Sequence, residues 1–159
     1  MAQVDYFLKI DGIVGESTDD KHKGEIELAS FSWGETQQAA GRGGAGAGKV
    51  AMQDFHFVMR VNKASPVLML ACASGQHLKS AVLTARKAGK GAVEFLVYKL
   101  TDLLVSSYHT APSPEDAYPL DEVAFKFGRI QVEYRPQDPS GKPAAAVHVG
   151  WDVKANKKV

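Results

Sequence analysis

Residues 43–49 read Gly-Gly-Ala-Gly-Ala-Gly-Lys, close to the phosphate-binding pattern G-x-x-x-x-G-K followed by Ser or Thr. That loop works through amides at a helix N-terminus, a lysine on the phosphates and a hydroxyl on magnesium. Here the next residue is Val50, which carries no hydroxyl. The segment behind it, residues 51–60, alternates like a strand, with Phe55, Phe57 and Met59 on one face. No helix start follows the glycines, so the dipole and free amides are missing. The whole stretch Gly41, Arg42, Gly43, Gly44, Ala45, Gly46, Ala47, Gly48 and Lys49 reads instead as part of a long loop, about 36–50, between two strands. A loop too glycine-rich to pack on itself orders against a partner. A nucleotide-binding enzyme using Gly43 to Lys49 remains the catalytic alternative.

Other reactive side chains form no recognisable constellation. The histidines His22, His56, His77, His109 and His148 are scattered, without H-x-H or H-E-x-x-H spacing. The polar stretch 15–24 holds acids and His22 but lacks the spacing of a calcium loop, and reads as a solvated loop. Ser106, Ser107, His109 and Asp116 are near in sequence, yet adjacent strand residues point to opposite faces, so nearness does not make a triad. No G-x-S-x-G elbow exists. The single cysteine, Cys72, lies in an apolar run and reads as a small buried hydrophobe. The expectation is a protein that is not an enzyme and holds neither cofactor nor metal.

The elements that would position these residues are mostly strands. Tyr6, Leu8 and Ile10 line one face of the first. A second runs from about Glu25 to Gln37, and its apolar phase shifts near Ala29 and Ser30. A one-residue bulge there restores one buried face and turns Ser30 or Ser32 away from the core. The one helix, about 65–75, has Ser65 as N-cap, Pro66 at its first position and Gly75 just past its end. It is apolar almost all round, so it is expected to be buried or packed on two sides. A short strand at 81–85 precedes a long one at 93–107. In the long strand Phe95 and Val97 share one face, and Leu96, Tyr98 and Leu100 share the other. Apolarity on both faces asks for a neighbouring subunit over Leu96, Tyr98 and Leu100.

The next strand starts near Asp121. It carries Val123, Phe125 and Phe127 on one parity and Ile130, Val132 and Tyr134 on the other, with the flip at Gly128. Such a flip marks a bulge or bend. The last strand alternates most cleanly, with Val147, Val149, Trp151 and Val153 expected to face in. The basic tail 154–158 is expected to fray. The sum is a mainly β chain of seven or so strands, a compact antiparallel barrel or sandwich with one flanking helix, forming a single domain over residues 1–159.

Composition narrows the partners. The chain has 159 residues, 19 Lys plus Arg against 18 Asp plus Glu, and a net charge of +1, so no strong field directs it to nucleic acid. The densest basic cluster, 86–91, reads as a turn that could touch phosphate. One cysteine rules out an internal disulfide and fits a reducing compartment. The N-terminus lacks a basic region followed by an apolar core, and no run reaches membrane-spanning length. The protein is expected to be made in the cytosol without membrane insertion. It would leave the cell only by a route that needs no signal peptide.

Several short motifs then fall in a familiar order. They include Phe7-Leu8-Lys9-Ile10, Gly15-Glu16-Ser17, Ile26-Glu27-Leu28, Ser32-Trp33-Gly34, and Gly48-Lys49-Val50 with Gln53-Asp54-Phe55. Further on come Ser65-Pro66, Ala71-Cys72-Ala73-Ser74-Gly75, Arg86-Lys87-Ala88-Gly89, Val105-Ser106-Ser107, Val132-Glu133-Tyr134-Arg135-Pro136-Gln137 and Gly150-Trp151. In this order, nearly end to end, the chain resembles the Hcp family, the haemolysin-coregulated tube proteins of bacterial type VI secretion systems. The resemblance implies a compact β-barrel with a flanking helix, similar to phage tail-tube proteins. It also implies homohexameric rings stacked into a tube that a contractile sheath expels behind a tip spike, with effector proteins as cargo and the protein itself secreted. On that reading Ser30 or Ser32 faces the channel, and Gly41 to Lys49 contacts the next ring. A tail-tube subunit of a phage or phage-derived injection device is the related alternative.

Overall fold

The computed structural model describes residues 3–38, 48–88 and 92–159. In chain order its elements are β1 (Val4–Ile10), β2 (Ile26–Leu28), β3 (Ser30–Ser32), β4 (Glu35–Gln37), β5 (Val50–Met52) and β6 (Phe55–Arg60). Then come α1 (Ser65–Ser74), β7 (His77–Lys87), β8 (Glu94–Ala111), β9 (Leu120–Tyr134), β10 (Val147–Asp152) and β11 (Lys157–Lys158). The ladders are all antiparallel. The main sheet runs β11-β10-β9-β8-β7-β1-β2, with β6 on the other half of β9 and β3 on β6. The fold is therefore mainly β and antiparallel, as the alternating sequence predicts. The sheet curls on itself, and among the described residues no ladder joins β2 to β6.

The expected single strand from 25 to 37 is three strands with three different partners. β2 pairs with β1, β3 with β6, and β4 with β5. The apolar phase does shift at Ala29 and Ser30: Ile26 and Leu28 are buried, Ala29 and Ser30 are both exposed, and Phe31 points back to the core. The shift marks the point where the chain leaves β1 and joins β6, with Ala29 N–H donating to the Val58 carbonyl at 2.8 Å. Strand lengths also exceed the sequence-based bounds. β7 spans 11 residues rather than five, because Leu78 and Arg86 are buried by other elements that alternation within the strand does not reveal.

The core is built on Phe55, Phe57, Met59, Leu8, Ile26, Leu68, Leu83, Leu100, Leu103, Val123 and Phe125, all essentially inaccessible to solvent. Aromatic rings fill the end nearest β3. Phe31 meets Tyr6 edge-on at 5.4 Å and stacks on Phe55 at 5.7 Å, and Tyr98 meets Phe31, Trp33 and Phe55 edge-on. Offset and edge-to-face pairs of this kind add to the burial of apolar area.

The helix start differs from the expected cap. Ala64 is the N-cap and makes no side-chain cap bond; Ser65 is already helical. Its Oγ accepts from Asn62 N–H at 3.0 Å and donates to the Asp121 carboxylate at 2.5 Å, so the hydroxyl ties α1 to β9 instead of closing its first turn. Gly75 ends the helix with φ +69°, its N–H returning to the Ala71 carbonyl, as a left-handed cap should. Only one stripe of α1 is covered: Ala64, Ser65, Leu68 and Ala71 are buried, whereas Val67, Met69 and Leu70 are exposed. The two-sided cover expected for an apolar helix is not supplied by the described residues of this chain.

Candidate functional site

The two serines lead to a polar wall. On β3, Ser30 and Ser32 are exposed, and both point away from the core. Ladder register extends each into a row. Ser30 lies beside Val58, Val58 beside Glu122, and Glu122 beside His109. Ser32 lies beside His56, then Ala124, then Ser107. The parity that buries Phe31, Phe57 and Val123 forces these neighbours onto the opposite face. The result is a four-stranded surface of β3, β6, β9 and β8 with mostly small and polar side chains, on which no hydrogen bond joins Ser32 to His56 among the described residues.

The Ser106, Ser107, His109 and Asp116 set is not brought together. Ser106 sits at a register shift in β8, and its Oγ donates to the Asp54 carboxylate at 2.6 Å. His109 lies across from Glu122, and Asp116 is held by the Arg60 guanidinium, whose Nε donates at 2.6 Å. Arg60 also stands over the Tyr118 ring.

The glycine-rich motif falls partly outside the described residues: Gly41, Arg42, Gly43, Gly44, Ala45, Gly46 and Ala47 do, while Gly48 and Lys49 are described. Lys49 leads directly into β5, which pairs with β4, and the Gln38 N–H donates to the Lys49 carbonyl at 3.3 Å. The motif is thus followed by a strand, where a phosphate loop is followed by a helix N-terminus. The hairpin also shortens the expected loop. Glu35, Thr36, Gln37 and Val50 are strand, leaving residues 38–49 as the connection.

Leu100 and Tyr98 do not form an outer subunit surface. Leu100 is 1% exposed and lies in the chain's own core, and Tyr98 is packed by Phe31, Trp33 and Phe55. Leu96 lies next to Tyr134 on the same, half-open face. The cover that sequence reasoning assigned to a neighbour comes from β3 and β6, which the sequence could not place over β8.

Uncovered apolar area appears elsewhere. Val147 and Val149 on β10 are 61% and 55% exposed, and Tyr134 beside them is 50% exposed. Sequence alternation placed these valines inward. They do share the core-side face with Ile130 and Val132, but β10 extends the sheet beyond the elements that cover it. Trp33, Ile130, Val132, Val149 and Trp151 line a recess of about 310 Å³ there. The Trp151 Nε1–H is buried with no acceptor among the described residues. The basic tail does not fray: β11 folds back on Trp151 and Asp152, and Lys154 pairs with Asp102.

The loop at 14–25 is less solvated than its composition suggests. His22 is buried, stacks on Phe7 at 4.4 Å, and sits between Glu25 at 2.9 Å and Glu94 at 2.7 Å. Arg86, expected at an exposed turn, is buried beside it. Its guanidinium donates to Asp19 at 2.6 and 3.0 Å and stands 4.8 Å from the Phe7 ring. That pairing holds the Asp19 carboxyl down at about 2 from its ordinary 3.8, so Arg86 is engaged internally and is no phosphate contact. Among the described residues no group of His, Cys, Asp and Glu is arranged to hold a metal ion. Among them, too, no helix is long and apolar enough to cross a membrane.

A fully buried carboxylate, missed from sequence, completes the set of polar clusters. Asp121 accepts from Ser65 Oγ at 2.5 Å, Tyr108 Oη at 2.9 Å and Thr110 Oγ1 at 2.6 Å. Burial pushes the Tyr108 phenol up. The cluster joins α1, β8 and β9 and so pins the helix to the sheet.

Known proteins share this architecture. Residues 7–134 match the family model described as type VI secretion system effector, Hcp. Protein hcp1 of Pseudomonas aeruginosa is 41% identical over 157 residues, covering 96% of this chain and 97% of that protein. The crystal structure of Hcp1 from Salmonella typhimurium is 39% identical, with full coverage of both chains and a TM-score of 0.82. A structure of a type six secretion system protein superposes at a TM-score of 0.91 with 31% identity, covering 99% of this chain and all of that one. The order of motifs, the curled antiparallel sheet flanked by α1 and these full-length likenesses agree, and the chain belongs to the Hcp family of type VI secretion system proteins.

Proposed function

We propose that this protein is a structural tube subunit of a type VI secretion system, with no catalytic role. Six copies close into a ring, rings stack into a tube, and a contractile sheath expels the tube behind a tip spike. Effector proteins travel in the channel. The subunit is made in the cytosol and leaves through the machine itself. The family match to type VI proteins favours this over the phage-derived device.

The observation that carries the reading is the open apolar face of β10. A strand with clean alternation buries its apolar parity in a finished structure. Here Val147 and Val149 remain more than half exposed in the isolated chain. Contiguous exposed apolar area marks a surface made for another protein. In this account the polar face bearing Ser30 and Ser32 lines the channel, where a surface poor in apolar groups lets cargo pass. The connection containing Gly41 to Lys49 reaches the adjacent ring.

Negative-stain electron microscopy of the purified protein tests the reading. It predicts annular particles with a central hole in end view, stacking at high protein concentration. Protein lacking residues 43–46 should give single rings without stacks. Solid particles of single-chain size would contradict the ring, and normal stacking by the deletion variant would contradict the role of the loop.

A further inference from the structure

Phe7 is buried on the face of β1 opposite the core. Strand parity sends Leu8 and Ile10 into the core and Phe7 to the other side, beside Thr84 on β7 and Glu27 on β2. Yet Phe7 is only 2% exposed. Two groups cover it. The His22 ring lies nearly parallel to the phenyl ring, with centroids 4.4 Å apart and a tilt of 7°, and the Arg86 guanidinium stands 4.8 Å from the ring centre. Arg86 comes from β7, but His22 comes from the loop at 14–25. That loop is a strap laid across the outer face of the sheet.

Two side-chain ties hold the strap down. One is Arg86 on Asp19. The other is His22, whose Nδ1 is 2.9 Å from Glu25 Oε2 and whose Nε2 is 2.7 Å from Glu94 Oε1, at the start of β8. An ionised carboxylate only accepts, so both ring nitrogens have to donate, and only the imidazolium does that. A neutral ring would turn a lone pair on one of the two carboxylates. The charges around the ring favour the same form. Asp19 accepts the His22 main-chain N–H at 3.2 Å, and Asp5 of β1 lies 3.4 Å from Arg86. With Glu25 and Glu94 these carboxylates outnumber the Arg86 guanidinium, and a protonated His22 offsets them. Glu27 beside Phe7 is exposed, as are Asp20, Lys21 and Lys23 of the strap.

We propose that the loop at 14–25 is a proton-dependent strap: the His22 imidazolium fastens it over Phe7 and onto β8, and loss of one ring proton unfastens it. The protonated ring belongs to the closed strap, so this tie is complete at low pH and is lost as pH rises through the titration of His22. The Arg86–Asp19 tie has the opposite sense. Asp19, held at about 2, gives way only in acid. The strap is therefore fastened at both points over a window with an acid edge and an alkaline edge. Unfastening at the alkaline edge bares an aromatic side chain on the outer face of the sheet. It also loosens Glu16, Ser17 and Thr18, which with Arg60, Asn62 and Tyr118 line a recess of about 350 Å³. The strap belongs to the single chain and does not depend on assembly.

Heteronuclear magnetic resonance on the purified protein tests it. Long-range proton–nitrogen spectra report whether each ring nitrogen of His22 carries a proton, with His22→Gln assigning the signals. Amide exchange, corrected for its intrinsic pH dependence, reports the strap through the main-chain bonds from Gly15 to Gly24, Ser17 to Glu25 and Gly24 to Ser17. The expected result is two protonated ring nitrogens wherever these amides are protected. Protection should fall by about tenfold as one ring proton is lost, the scale of one charge-assisted bond. Glu94→Gln places an amide that both donates and accepts, so it holds a neutral ring as well as a charged one. That variant should lose the pH step and keep the amides protected. A His22 ring with one proton while the parent's amides stay protected would overturn the proposal. So would protection that persists until the whole protein unfolds, or a step of the parent's size in Glu94→Gln.

Discussion

Asp102 leans over Gly128 on the neighbouring strand. A Cβ placed on Gly128 would stand 3.0 Å from Asp102 Oδ2 and 3.2 Å from its Cβ. Asp102 has φ +58°, and its carboxylate takes Lys154, whose ammonium holds it below the ordinary carboxylate range. On β8 the core-facing parity passes from Leu100 to Leu103 at this residue; on β9 it passes from Ile130 to Phe127 at Gly128. Two strands thus change phase at one facing pair, which lets the sheet bend without losing register.

Gly128→Ala should therefore destabilise the fold by about 1–3 kcal/mol, the usual cost of forcing atoms into a packed site. Asp102→Gly in the same chain should recover part of that loss, since it removes the opposing side chain and suits the left-handed backbone. Urea unfolding of both single variants and the double variant measures the coupling. Additive losses would show that the two residues do not share the bend.

The bend was legible in sequence because Gly128 separates two runs of opposite parity in one strand. Its partner was not, because nothing local distinguishes Asp102 from a solvated strand residue. The same contrast runs through the molecule. The phase shift at Ala29 was readable, but its meaning, a change of partner from β1 to β6, depends on strands distant in sequence. Leu96, Tyr98 and Leu100 read as uncovered for that reason, and Val147 and Val149 read as covered. Periodicity reports which residues share a face. It does not report what lies over that face. His22 and Arg86 were hidden similarly, since their carboxylate partners Glu94 and Asp19 come from other segments.

Asp121 is the residue whose loss should cost most among the polar groups. Asp121→Ala would remove the acceptor of the buried Ser65 hydroxyl and of the partly buried bonds from Tyr108 and Thr110. The expected loss is about 1–3 kcal/mol, from one buried donor left unmatched and two charge-assisted bonds lost. Chemical denaturation measures it. A loss below about 0.5 kcal/mol, typical of surface changes, would contradict the pin.

The Arg86–Asp19 pair predicts an acid-sensitive contribution to stability. Asp19 titrates at about 2 when folded against an ordinary 3.8, so the folded state binds this proton less readily than the unfolded chain. The contribution is complete above about pH 4 and is lost as pH falls towards about 2. Asp19→Asn should flatten the decline of melting temperature across that window, leaving the curve at neutral pH parallel to the parent. An unchanged acid slope would contradict the assignment.

Ser30→Arg tests the proposed channel wall. Ser30 is exposed in the single chain, so the variant should keep its stability within about 0.5 kcal/mol and keep its assembled mass. Effector recovered with the purified ring should fall several-fold. Undiminished cargo, or loss of the ring itself, would place this face somewhere other than the channel.

The most direct test of the ring is the mass of the purified protein by light scattering as it leaves a sizing column. The predicted mass is about six times the 17.1 kDa chain, the closed ring that heterologous contacts allow. A mass of 17.1 kDa that persists at high protein concentration would leave Val147, Val149 and Leu70 uncovered in solution and contradict the ring.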